Sequence, residues 1–156
     1  MTVFVPVTVA SALDLRRTGR APGLVGYADG PALRRWSGEA RLDDEEASYI
    51  ALNHAGVAAL LHEDVASTRL VLALDTELSS TDELGAVALP EVRWADVRSL
   101  FADDPAAAEA VAGARAAVRL LDLAAALEVE AAERLQHAHD LLWYAPEELD
   151  ELADRG

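Results

Sequence analysis

Cysteine and lysine are both absent from this 156-residue chain, and isoleucine and asparagine occur once each, at Ile50 and Asn53. Without cysteine there is no disulfide, thiolate metal site, iron–sulfur cluster or cysteine nucleophile. Without lysine there is no phosphate-binding lysine of a nucleotide loop, and Gly23, Gly26 and Gly30 do not form a dinucleotide fingerprint. No serine stands in a Gly-x-Ser-x-Gly elbow, so hydrolase chemistry of that kind has no support. Aromatic residues are only 5% of the chain. Trp36, Trp94, Trp143 and Tyr144 are too scattered for a base-stacking platform and are expected in core or edge packing. No window approaches the roughly 18 uninterrupted apolar residues of a membrane span. Met1 to Val9 lacks a basic leader, so no export signal is read there and a cytoplasmic protein is expected.

What is present is alanine and acid. Hydrophobic residues make up 52% of the chain, much of it alanine, which favours closely packed helices anchored by a few Leu, Val and Trp side chains. The length suits a single domain with a core of its own. The formal net charge is −15, which argues against a nucleic-acid partner because neutralising phosphates needs a basic face. The charge is uneven. Six of the thirteen arginines fall in residues 1–42 against three acids, and the other seven face 25 acids. That asymmetry predicts either internal pairing of an N-terminal basic surface with acidic helices or a local anion site. The all-arginine basic set, with so little Ile and Asn, has the look of a GC-rich coding bias.

Along the chain, Val3, Val5 and Val7 alternate as a first strand, with Pro6 near an edge or the end of pairing. Ser11 to Asp14 opens a short helix that stops at Gly19, followed by a strand over Leu24 to Ala28. Pro31 to Ser37 is a short helix with proline at its first position. Asp43 to Glu46 starts the clearest helix, whose apolar stripe runs Ala47, Ile50, Ala51, His54, Val57, Ala58 and Leu61, with its end at His62-Glu63-Asp64. Arg69 to Asp75 reads as a central strand buried on both faces. Ala86 to Val92 is a strand interrupted or edged at Pro90, and a turn or bulge at Trp94 to Val97 precedes a strand from Arg98 to Ala102. Helix then runs from Ala106 to about Gln136 with a break expected near Asp122 to Glu128. A strand over Leu141 to Ala145 and an exposed acidic helix from Pro146 close the chain. Helices alternating with strands point to an α/β single domain, with a mixed sheet of about five strands and helices packed against it.

Two clusters carry what chemistry there is. The acids Asp29, Asp75, Asp103 and Asp104 stand at strand ends, where ligands collect in open α/β sheets. If their strands run parallel they converge, and Arg34 or Arg35 could hold an anionic group beside them. Read structurally, Asp before proline is simply a helix cap. The window from His137 to Leu149 holds two imidazoles, three carboxylates and the adjacent Trp143 and Tyr144. On a strand, His137 and His139 would point the same way; at a helix end they lie about 200° apart and cannot share a metal. The helix end is favoured, and neither a metal site nor a cofactor is expected. His54, alone on an apolar stripe, reads as a hydrogen-bonded core histidine or a pocket residue partnered by Tyr27 or Tyr144.

Ordered motifs carry a further likeness: Val3-Phe4-Val5-Pro6-Val7-Thr8, Pro31-Ala32-Leu33-Arg34, Asp44-Glu45-Glu46 before Tyr49, Val71 to Asp75, Phe101-Ala102-Asp103-Asp104, and Asp140-Leu141-Leu142-Trp143-Tyr144-Ala145 before Glu148-Leu149. By these the chain resembles an uncharacterised family of small proteins from high-GC Gram-positive bacteria, a domain of unknown function. The family's usual threonine before the proline is Gly30 here, so that hydroxyl cap is missing. The resemblance implies a shared fold and brings no activity, cofactor or catalytic residue. Two expectations follow. The first is a non-enzymatic interaction or regulatory protein, with no nucleic-acid or membrane partner, whose acidic segments Asp43 to Glu46 and Glu147 to Asp154 meet a basic protein. The second is a small-molecule or metal-dependent enzyme or binder built on the strand-end acids.

Overall fold

Strand β1 (Thr2–Val7) presents Val3, Val5 and Val7 to one face and Phe4 to the other, and all four are buried. A period-two strand apolar on both sides must lie mid-sheet, and it does. In this computed structural model, which describes residues 1–39, 41–62, 68–78 and 80–155, β1 sits between β2 (Arg20–Tyr27) and β3 (Leu70–Asp75). With β4 (Ala86–Arg93), β5 (Val97–Ala102) and β6 (Leu142–Tyr144), the described strands form one six-stranded sheet of order β4-β2-β1-β3-β5-β6.

The α/β class holds, but the sheet has six strands where about five were expected. It is also antiparallel at every pairing rather than mixed. The physical reason lies in α1 (Val9–Thr18). With Phe4 opposite Tyr27 as the one register pair between β1 and β2, the antiparallel register carries the first half of β2, Arg20 to Gly23, beyond the end of β1. The helix therefore carries the chain onward instead of folding it back as a parallel crossover would require. Pro6 sits where pairing to β2 has already ended, so its missing N–H is tolerated in a central strand. The helix also starts earlier than the Ser11 box suggests: Thr8 is its cap, accepting from the Ser11 N–H at 3.0 Å, and Gly19 closes it in the left-handed region at φ 86°.

Helices cover both faces. On one, α1 and α7 (Leu149–Asp154) pack Leu15, Leu149 and Leu152 against the valines and leucines of the sheet. On the other lies α3 (Asp44–Leu60), opened by the Asp43–Glu46 capping box. It sets Ala51, Ala55 and Ala58 against Phe4, Val71 and Ala73. Its far side, through Val57 and Leu60, packs on α4 (Ala108–Val118), α5 (Leu123–Leu127) and α6 (Glu130–Ala138). Alanine and Gly56 let α3 be enclosed between a sheet and a helix layer. A Cβ on Gly56 would stand 3.3 Å from both Arg69 and Leu141. The expected helix end at His62-Glu63-Asp64 falls partly outside the described residues, since Glu63 and Asp64 are not among them. Among the described residues, no helix is long and apolar enough to cross a membrane.

Candidate functional site

The four strand-end acids do not converge. β2 and β3 both run antiparallel to β1, so Asp29 and Asp75 lie toward one end of the strands. β5 runs against β3, and Ala102 pairs with Leu70 at the start of that strand. Asp103 and Asp104 are thereby placed at the opposite end, roughly 17 Å away at the ordinary rise of a strand. The expectation of a shared carboxylate site rested on parallel strands, and the antiparallel order removes it.

Each acid has a local task instead. Asp29 does not cap α2 (Pro31–Ser37), whose N-cap is Gly30 without a side-chain bond. It receives Arg34 in a two-pronged ion pair, Nε to Oδ1 at 2.9 Å and Nη2 to Oδ2 at 2.6 Å. Arg34 also donates to the Leu42 carbonyl at 2.9 Å and to Asp44 at 2.8 Å. The guanidinium thus pins the start of α2 to the start of α3, and its carboxylate partners raise its pKa further above the ordinary arginine value. It is not placed to hold an external anion. Asp75 is exposed and meets the Met1 amino group at 3.1 Å. Asp104 caps the turn at Pro105–Ala107 through the Ala106 N–H. Asp103 is buried against Arg69, accepting from its backbone N–H, Nε and Nη2 at 2.8, 3.0 and 2.7 Å. Arg35 lies exposed on α2. Of the six N-terminal arginines, Arg16, Arg17, Arg20 and Arg34 all reach acids, so the charge asymmetry resolves largely into internal pairing.

The closing window forms a surface edge. α6 ends at Ala138 with His139 as its C-cap, and the His139 carbonyl accepts from Arg69 Nη2 at 3.0 Å. Asp140 accepts from the Tyr49 hydroxyl at 3.1 Å. Leu142 and Trp143 on β6 are 40% and 62% exposed. Tyr144 turns to the other face, where Arg155 donates to its hydroxyl at 3.1 Å and stands 5.4 Å from its ring centre. Among the described residues, no group of three or more His, Asp or Glu is arranged to hold a metal ion. The final acidic helix is less free than its sequence suggests, because Leu149 and Leu152 are buried and Asp150 is bound to Arg16 at 2.7 Å.

A concavity at His54 lies between α2, α3 and the α5–α6 pair. It is a cleft of about 480 Å³ with Trp36, Ile50 and Leu127 as apolar wall and Glu128, Glu133 and His137 at its rim. His54 lies within it, 3% exposed, its Nδ1 2.8 Å from the Leu84 carbonyl. The Trp36 ring stands edge-to-face on the imidazole at 4.8 Å. Burial lowers the His54 pKa, while the Leu84 carbonyl and the Asp82 charge pull it back. Neither Tyr27 nor Tyr144 is its partner.

The sequence pattern of a family of unknown function, DUF6912, matches residues 1–153. The chain belongs to that family. No curated protein and no solved structure matches it.

In this DUF6912 member the two sheet edges are unlike. The β4 edge is long but carries Pro90, Glu91 and Arg93, all exposed, and proline and charge are what blunt an edge against pairing. The β6 edge carries no such guard in its three residues and exposes Leu142 and Trp143. From sequence, Trp143 and Tyr144 stood out and His54 was readable as a hydrogen-bonded or pocket residue, but its partner Leu84, the other walls of its cleft and the Arg69–Asp103 pair were not. For that pair the signal was an arginine at the mouth of an apolar strand. Only the Leu70–Ala102 register sets position 69 opposite 103.

Proposed function

We propose that this DUF6912 protein is a non-enzymatic interaction module, and that the β6 edge takes an extended, arginine- or lysine-bearing segment of another protein as an added strand. The observation that carries this reading is the outer edge of β6. It has no further strand beside it among the described residues, and it offers an indole 62% exposed next to a 40% exposed leucine. Strand addition supplies main-chain hydrogen bonds for affinity and uses alternate side chains for specificity. Trp143 pairs across the ladder with Phe101, on the α3 face of the sheet, and Leu142 by alternation lies on the opposite face with Tyr144, so an added strand would meet one apolar position on each face. Asp140 precedes the strand and exposed Glu147 follows it, within a chain of net charge −15. That field favours a basic partner and opposes an acidic one.

The test is an NMR titration of the isotope-labelled protein with a short strand-forming peptide rich in arginine, and with its glutamate counterpart. The basic peptide is expected to shift the amides of Leu142 to Tyr144, with the effect fading as salt rises and largely lost in Trp143→Ala. Shifts that leave β6 untouched, or equal shifts from the acidic peptide, would overturn it.

A further inference from the structure

The cleft at His54 is lined by no β6 residue and raises a separate question. Its volume, about 480 Å³, falls within the roughly 300–1,000 Å³ typical of small-molecule sites. A carbonyl oxygen can only accept, so the bond to Leu84 places the His54 proton on Nδ1. Nε2 is left as a lone-pair acceptor on an almost fully buried ring that lines the cleft. The edge-to-face contact with Trp36 holds that ring in place. Glu128 and Glu133 supply negative charge on one side, and Asn53 and Gln136 supply amides. No arginine is among the described residues of the lining.

We infer that this cleft is a binding site for a small organic cation bearing N–H donors, of the amidine, guanidine or protonated-amine class, with an apolar portion. One ligand N–H donates to His54 Nε2. The charge is met by Glu128 and Glu133, and the apolar part lies against Trp36, Ile50 and Leu127. Trp36 adds a π surface that suits a cation. An anion would be opposed both by the two rim carboxylates and by the charge of the whole chain.

The probe is benzamidine, with neutral benzamide and anionic benzoate of nearly the same shape as controls. Benzamidine at millimolar concentration is expected to raise the melting temperature, since a ligand of the folded state alone must do so, and to shift the His54 and Trp36 side-chain resonances. Glu128 and Glu133 are exposed, so the doubly substituted Glu128→Gln, Glu133→Gln protein should fold normally and bind benzamidine about tenfold more weakly. Equal binding of benzamide or benzoate would overturn the assignment. So would resonance shifts confined to residues outside the cleft, or unchanged affinity in the double variant.

Discussion

His54 is the side chain whose environment departs furthest from water among the titratable residues of the cleft. Burial disfavours its charged form, and the Leu84 carbonyl and Asp82 only partly offset that. The folded protein therefore binds this proton less readily than the unfolded chain does. Its contribution to stability is complete above about pH 6.5, the ordinary imidazole value, and is lost as the pH falls from there toward the lowered folded value. Denaturant midpoints between about pH 7 and pH 5 are expected to decline in the parent and to decline less steeply in His54→Gln. An unchanged slope in the variant would exclude His54 as the cause. The burial of this residue was legible from its place between Ile50 and Val57 on a helical stripe. Its partner was not, because Leu84 lies in a polar loop thirty residues on.

The helical stretch after Asp104 is interrupted by chain geometry rather than by proline. α4 ends at Val118, α5 begins at Leu123 under an Asp122 cap, and α6 follows Val129. The break expected near Asp122 to Glu128 is found there as two interruptions flanking the short α5, with Asp122 capping its start and Glu128 its end. At the first break Leu120 stands at φ 66°, in the left-handed region, and the residue is 90% exposed. A leucine there bears strain without gaining burial, and glycine would relieve it. Leu120→Gly is therefore expected to stabilise the protein by about 1 kcal/mol, read from chemical denaturation. A loss of similar size would mean that the turn is held by contacts the side chain makes in solution. No glycine or proline marks this break in the sequence, because its cause, three short helices folding around the outer side of α3, is a matter of packing.

The buried Arg69–Asp103 pair acts across the whole molecule. It joins the start of β3 to the end of β5, reaches the C-terminus of α6 through the His139 carbonyl, and lies against Gly56 of α3. Side-chain exposures of 2% and 0% leave no water to compensate either charge once its partner is gone. Asp103→Ala is expected to cost about 3–5 kcal/mol, while the paired replacement Arg69→Met with Asp103→Leu should recover much of that loss. A double variant no more stable than the single would show that the charges themselves, and not the filled space, hold the layers together. The same antiparallel order that creates this clamp separates Asp103 from Asp29 and Asp75, and leaves β6 at an open edge.

The Asp43 start of α3 and the Gly19 stop of α1, the alternation of β1, the apolar run of β3 and the stripe of α3 were readable from residues because they rest on forces acting within about four positions along the chain. Strand direction, register, the Leu84 partner of His54 and the enclosure of Arg69 were decided only by the folded whole. A strand–helix–strand order allows either parallel or antiparallel return, and the choice depends on where α1 carries the chain after Val7. That in turn depends on which distant surfaces bury one another, a long-range balance of apolar burial against chain entropy that no local spacing records.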